Sequence, residues 1–298
     1  MKKSTVWALA AILATSVACK EDDDDNGGNT ASTTLKMNMS NLTQLGADER
    51  YEGWLIVNGS PVSTGIFEVD ANGNPSSTSF TVKASDLSAA TDYVLSIEPF
   101  PDTDPAPSAI KIAGGTFSGN NATVNVEHAA ALGTSFNTAS GKYILATPTT
   151  NDTTDENSGI WFLDLSSGSP MTGLNLPTLP AGWVYEGWAV INGQPVSSGR
   201  FTDVAMEDDH AMFSGSDNAG PPFPGEDFVT NAPAGLSFPT DIAGGAVVIS
   251  IEPEPDNSPM PFAFKPLLHM VSASATDHVT YDLNNQISSN FPMGSVSK

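Results

Sequence analysis

The chain has one cysteine, four histidines and 34 carboxylates among its 298 residues, and these set the limits on its chemistry. A single thiol, Cys19, permits neither an intrachain disulfide nor a cysteine-based zinc site. It stands directly after Ser16-Val17-Ala18, at the end of the apolar run Val6 to Ala14 that follows Lys2 and Lys3. That is the cleavage point of a secretory signal, so the chemistry expected of Cys19 is acylation. The histidines, His128, His210, His269 and His278, show no H-E-x-x-H or H-x-H spacing, and there is no G-x-S-x-G elbow. Asp277 and His278 are adjacent, which in a strand sends them to opposite faces. No catalytic residue, cofactor or metal is therefore expected, and a hydrolase built from the abundant serines is the remotest reading. Glu98 and Glu252 each precede a proline at the end of an apolar strand pattern. The expected role is to accept backbone N–H groups and pin the following loop. Asp102, Asp104 and Asp256, with the run Glu207-Asp208-Asp209, offer hard oxygen ligands of the kind calcium takes, but lack the D-x-[DN]-x-[DN]-G frame. They read as solvated acidic loops.

These residues must be positioned by a turn-rich chain. Hydrophobic residues make up 39%, charged residues only 15%, and there are 26 glycines and 22 prolines. A formal charge of −23 repels phosphate backbones and excludes nucleic acid as a partner. Residues 1–18 resemble a bacterial lipoprotein signal peptide, with Ser16 where the usual motif has leucine. Residues 19–32 are then a lipidated cysteine and an acidic flexible linker, Lys20-Glu21-Asp22-Asp23-Asp24-Asp25 and onward. An acidic run in that position resembles the surface-export signal of Bacteroidetes-type lipoproteins. The expected partner is thus a membrane, held through the N-terminal lipid, and the expected location is the outer membrane or cell surface, otherwise the periplasm.

The body is a tandem duplication. Tyr51 to Phe67 (YEGWLIVNGSPVSTGIF) and Tyr185 to Phe201 (YEGWAVINGQPVSSGRF) agree at 11 of 17 positions, at an offset of 134. Leu95 to Pro99 pairs with Ile249 to Pro253 at an offset of 154. The difference places an insertion at about 205–240, whose prolines and poor periodicity predict a long surface excursion. Alternating apolar runs separated by Asn-Gly and Asp-rich turns predict strands throughout, with at most one helical turn near Ser85 to Ala90. The fold class expected is all-β, as two tandem Ig-like β-sandwich domains over 33–146 and 147–298. Tyr51, Trp54, Tyr185 and Trp188 recur in both copies and are expected to fill the two cores. Trp161 and Trp183 have no counterpart in the first copy, and are the better candidates for a binding surface that stacks on sugars or peptides.

Leu176 to Trp188 (LPTLPAGWVYEGW), followed by Asn192 to Phe201, resembles the extracytoplasmic C-terminal domain of anti-sigma-K factors. Its "LP-x-LP-x-G-x-x-Y-x-x-W" run and "G-x-PVS-x-G-x-F" run are both present. The later "V-x-x-EP" segment appears at Ser96 to Pro107 and Ser250 to Pro261, without the family's paired glycines, and the first copy lacks the LP-x-LP lead-in. The resemblance implies a non-enzymatic binding or sensing module that engages an envelope protein. Family members that regulate sigma factors carry a cytoplasmic anti-sigma domain and a transmembrane helix before this module. Neither is evident here, so direct contact with a sigma factor is not expected. The alternative expectation is a glycan-binding surface lipoprotein of an uptake system.

Overall fold

The structure, a computed structural model, describes residues 31–256 and 258–298. The expected signal peptide, Cys19 and the acidic run lie outside the described residues. In the first copy the strands are β1 (Ser32–Ser40), β2 (Glu49–Val57), β3 (Ser60–Phe67), β4 (Ser79–Lys83), β5 (Ala90–Pro99), β6 (Lys111–Thr116) and β7 (Asn121–Val124). They are followed by β8 (Ser140–Leu145), β9 (Gly159–Trp161), β10 (Leu163–Asp164), β11 (Met171–Thr172), β12 (Leu174–Asn175), β13 (Trp183–Ile191) and β14 (Gln194–Phe201). The chain ends with β15 (Gly225–Asp227), β16 (Ala246–Pro253), β17 (Leu267–Met270), β18 (Tyr281–Asn285) and β19 (Met293–Ser297). The helices among the described residues are the short α1 (Ala84–Ala89) and α2 (Ile287–Asn290). None is long and apolar enough to cross a membrane. The protein is all-β.

The repeat motif builds the same hairpin twice. β2 pairs with β3, and β13 with β14, each with a bulge after the glycine of the YEGW run. The turns are Asn58-Gly59 and Asn192-Gly193, all four residues at positive φ, which is why Asn-Gly stands at both. The tyrosine ring stacks on the hairpin's terminal phenylalanine, Tyr51 on Phe67 at 5.3 Å and Tyr185 on Phe201 at 5.6 Å between centroids. Each tyrosine hydroxyl donates to a carbonyl eight residues upstream, Thr43 and Pro177 respectively. The other long strand of each copy, β5 or β16, lies on the far side of the hairpin.

The copies differ in how the sheets continue. In the first, β3-β2-β5-β6 form one four-stranded sheet and β4-β1-β19-β7 a second. The two face each other through contacts such as Phe67 with Phe80 and the Tyr93 hydroxyl with the Met37 sulfur. In the second, the strands run as one nine-stranded sheet, β14-β13-β16-β17-β18-β8-β9-β15 with β12 beside β8. The second copy is therefore built on one long curled sheet, with β10 and β11 as a separate two-stranded pair, and the two-sheet Ig-like sandwich expected of it is not seen.

The sequence boundary at 146/147 is also crossed twice in space. β8, the last strand of the first repeat, sits between β18 and the β9/β12 edge of the second copy. β19, the last strand of the chain, sits between β1 and β7 of the first. The exchange is reciprocal. Gly141 lies between Leu174 and Leu283, as Gly294 lies between Met39 and Val124. The two crossing segments meet at Phe136 and Phe291, each 1% exposed, with ring centroids 5.3 Å apart. Asn41 donates to the carbonyls of Ser288 and Phe291 on one crossing, and its repeat equivalent Asn175 to that of Thr138 on the other. One continuous apolar cluster, from Leu35 to Val296, draws on both copies.

The 205–240 segment is exposed over much of its length, as its composition predicts, but it is anchored in the core. Phe213 and Phe228 are buried in the main core, with Phe238 edge-on to both, and every residue of β15 is buried. Three phenylalanines and a strand that extends the sheet outweigh the prolines around them.

Truncating the crossing should destabilise the two copies together. Phe291→Ala removes a fully buried ring, a loss of about 3–5 kcal/mol. Calorimetry should show one transition displaced to lower temperature, whereas two transitions with only one displaced would contradict a shared core.

Candidate functional site

Each YEGW hairpin carries a buried chain of polar groups. In the first copy the Trp54 Nε1–H donates to the Ser96 hydroxyl at 2.8 Å, and Ser96 donates to Glu98. In the second the Trp188 Nε1–H donates to Ser250 at 2.7 Å, and Ser250 to Glu252. Both carboxylate oxygens of Glu98 accept the Ser108 N–H, and both of Glu252 the Phe262 N–H, so each glutamate closes the proline loop ten residues long that follows it. Trp54 and Trp188 are buried, 2% exposed each, but they stand with these carboxylates and not in the main apolar cluster.

A second glutamate, from the YEGW run itself, joins each chain. Glu52 accepts from the Ser63 hydroxyl and Glu186 from that of Ser197. Glu186 is 5% exposed, and its Oε2 has no hydrogen-bond partner. Burial pushes the Glu186 carboxyl up to about 7, opposed by the Ser197 bond and reinforced by the charges of Glu252 and Asp256. One oxygen each from Glu186, Glu252 and Asp256 lies within 4.8 Å of the others. Burial likewise raises Glu52 and Glu252. Glu98, Glu252 and Asp256 stand out in the sequence by their place beside prolines, whereas Glu52 and Glu186 are masked by the aromatics around them. Strand alternation places Glu186 and Trp188 on one face, and is the signal that would have found them.

The second polar cluster belongs to the insertion. Asp208 bridges the two ends of the curled sheet: its Oδ2 accepts the Gly225 N–H of β15 at 2.7 Å, and its carboxylate lies against Gly199 of β14, where a Cβ would clash. Asp209 holds Arg200 by an ion pair at 2.7 Å and by the Arg200 N–H. Asp208 is thus a half-buried structural group, not the solvated loop acid its sequence suggests. Beside it, Glu226 and Asp227 are fully buried. Asp227 accepts from the Trp161 Nε1–H at 2.8 Å and from the Thr149 N–H and hydroxyl. Glu226 accepts from Ser214, with Oε2 unpartnered, and His210 Nε2 is also buried without a partner. Burial lifts Asp208 and Glu226 to about 7 and depresses His210.

A pocket of about 480 Å³ opens over this cluster, lined by Trp161, Asp208, His210, Ser214, Ala219 and Phe223 among others. The two tryptophans singled out by the sequence do not form a shared surface. Trp161, 4% exposed, packs with Ile144, Ala146, Leu163 and Phe223 and lines the pocket. Trp183, 6% exposed, stacks on Phe264 and tilts against Phe262 in the main core. Neither offers the open face that a sugar-stacking platform needs. His128 pairs with Asp92, His269 with Tyr143 and His278 with Asp277, in three separate places.

Compared with known families, residues 7–111, about a third of the chain, match the family described as anti-sigma-K factor rskA, C-terminal. The match runs from residue 7, ahead of the first copy, to Lys111 at the start of β6. No curated protein and no solved structure gives a significant match.

The insertion carboxyls set a pH dependence. Asp208 and Glu226 hold their protons in the folded protein up to about 7, whereas in the unfolded chain they release them near about 4. The folded state binds more protons between these values, so stability is full at low pH and is lost as pH rises through 7. Urea unfolding in chelator-containing buffer should show lower stability at pH 8 than at pH 5. Asp208→Asn or Glu226→Gln should each flatten the decline, by roughly 1–3 kcal/mol. A wild-type protein no less stable at pH 8, or variants with an unchanged slope, would contradict this.

Proposed function

We propose that this chain is an extracytoplasmic binding or sensing protein, anchored by a lipid on Cys19, with its second-copy pocket as the ligand site. The observation that carries the reading is the match of residues 7–111 to the C-terminal module of an anti-sigma-K factor, a regulatory class. The second YEGW hairpin repeats that module's framework with the same tyrosine, tryptophan, serine and glutamate contacts. The role is non-enzymatic: His128, His269 and His278 stand in three separate places, and Asp208 and Asp227 are tied into the frame by N–H and hydroxyl donors. The protein sits at the outer membrane or cell surface, and signals by engaging an envelope partner.

The pocket sets the ligand's chemistry. Its volume, about 480 Å³, lies within the range of small-molecule sites. Glu207, Asp208 and Asp209 on its lining, in a chain of net charge −23, disfavour anions. The ligand is a small neutral or cationic molecule that lies along the Trp161 edge.

Two experiments test the reading. Cys19→Ala should abolish incorporation of labelled palmitate and move the protein from membrane to soluble fractions. Retention in the membrane would overturn the anchor. Native mass spectrometry of the protein isolated from its own membranes should show a small bound molecule that is lost in Ala219→Trp, which fills the pocket mouth. A ligand-free protein, or a ligand unaffected by Ala219→Trp, would overturn the pocket assignment.

A further inference from the structure

The trio Glu186, Glu252 and Asp256 is independent of the insertion pocket and has an unspent acceptor. Glu186 Oε2 is buried without a donor, and leaving a buried acceptor unpaired is costly. The frame nonetheless holds the Glu186 carboxylate close to two others. Ser197 fixes its other oxygen, while Ser250 and the Phe262 N–H fix Glu252. Two oxygens that each lie about 2.3–2.6 Å from one calcium ion can be no more than about 5 Å apart. The three oxygens, mutually within 4.8 Å, meet that requirement.

The cluster is also reachable. Glu252, Pro255 and Asp256 line a cleft of about 600 Å³ between the two copies, with Lys265 beside them and Glu49 contributed by the first copy. Two cations face the trio from neighbouring elements, and both are engaged elsewhere. Lys265 donates to the Phe262 carbonyl at 2.6 Å, and Arg200 is held by Asp209. Neither donates a hydrogen bond to the Glu186 Oε2.

We propose that Glu186, Glu252 and Asp256 bind a divalent hard cation, calcium, at the mouth of the inter-copy cleft. The first copy supplies an internal control. Its equivalents are Glu52, Glu98 and Asp102, with the same serine donors on the two glutamates. Among the described residues these three do not gather within the same radius, and Glu52 has no fully buried oxygen without a partner. The site is a property of the second copy.

The probe is terbium, followed by calcium displacement, on the purified full chain after chelation and dialysis. Trp188, two hydrogen bonds from Glu252, should sensitise terbium luminescence. The expected result is one saturable, calcium-displaceable site with a calcium dissociation constant in the extracellular-module range of about 10⁻⁴–10⁻³ M. Glu186→Gln and Asp256→Asn should each weaken it at least tenfold, and Glu52→Gln should leave it unchanged. Asp256 is partly exposed, so its variant keeps the test open should Glu186→Gln fold poorly. No saturable signal up to about 10 mM calcium, or equal weakening by Glu52→Gln, would overturn the proposal. So would binding that both second-copy variants leave intact. A proton held by Glu186 in place of a cation would appear as the first of these outcomes.

Discussion

Neither copy closes its own sheet, and this constraint governs the rest of the structure. A strand edge left bare between β1 and β7 would expose a row of unpaired N–H and C=O groups. β19 fills that slot from the far end of the chain, and β8 fills the matching slot in the other direction. The crossings are fixed by two phenylalanines in contact and two asparagines that cap each other's route. Because each copy holds a strand of the other, neither can shed its partner without opening a sheet. The shared apolar cluster follows from that interlock.

A rigid frame of this kind is what lets carboxylates be buried at all. Glu98 and Glu252 lose water but gain serine and backbone donors that tie down a proline loop. The copies then diverge. The first pairs two four-stranded sheets, while the second extends a single sheet until its ends need a bridge, which Asp208 provides. The polar surplus collects in the second copy, where Glu186 Oε2, Glu226 Oε2 and His210 Nε2 are buried without partners.

The hairpins were legible in the sequence because they are local. Alternation, Asn-Gly turns and a constant offset fix β2, β3, β13 and β14 without reference to distant residues. The all-β class follows from the same pattern, and the single helical turn near Ser85 is present as α1. The exchange was not legible. SGKYIL and MGSVS share little beyond a glycine, and strand pairing over some 250 residues leaves no local trace. The anchoring of the insertion is not legible either, because prolines and acids surround and conceal Phe213, Phe228 and β15. Trp161 and Trp183, chosen because they lack counterparts, are unmatched for a packing reason, since they bury against features the second copy alone possesses. Glu186 was hidden inside a motif read for its aromatics.

The interlock can be tested by cutting the chain between the copies. Residues 151–154 are exposed in the connection from β8 to β9. A protease site inserted there would divide the protein into halves that each retain a strand of the other's sheet. After cleavage under native conditions the account predicts that the halves co-elute as a one-to-one complex and separate only in denaturant. Two halves that part spontaneously, each still folded, would contradict it.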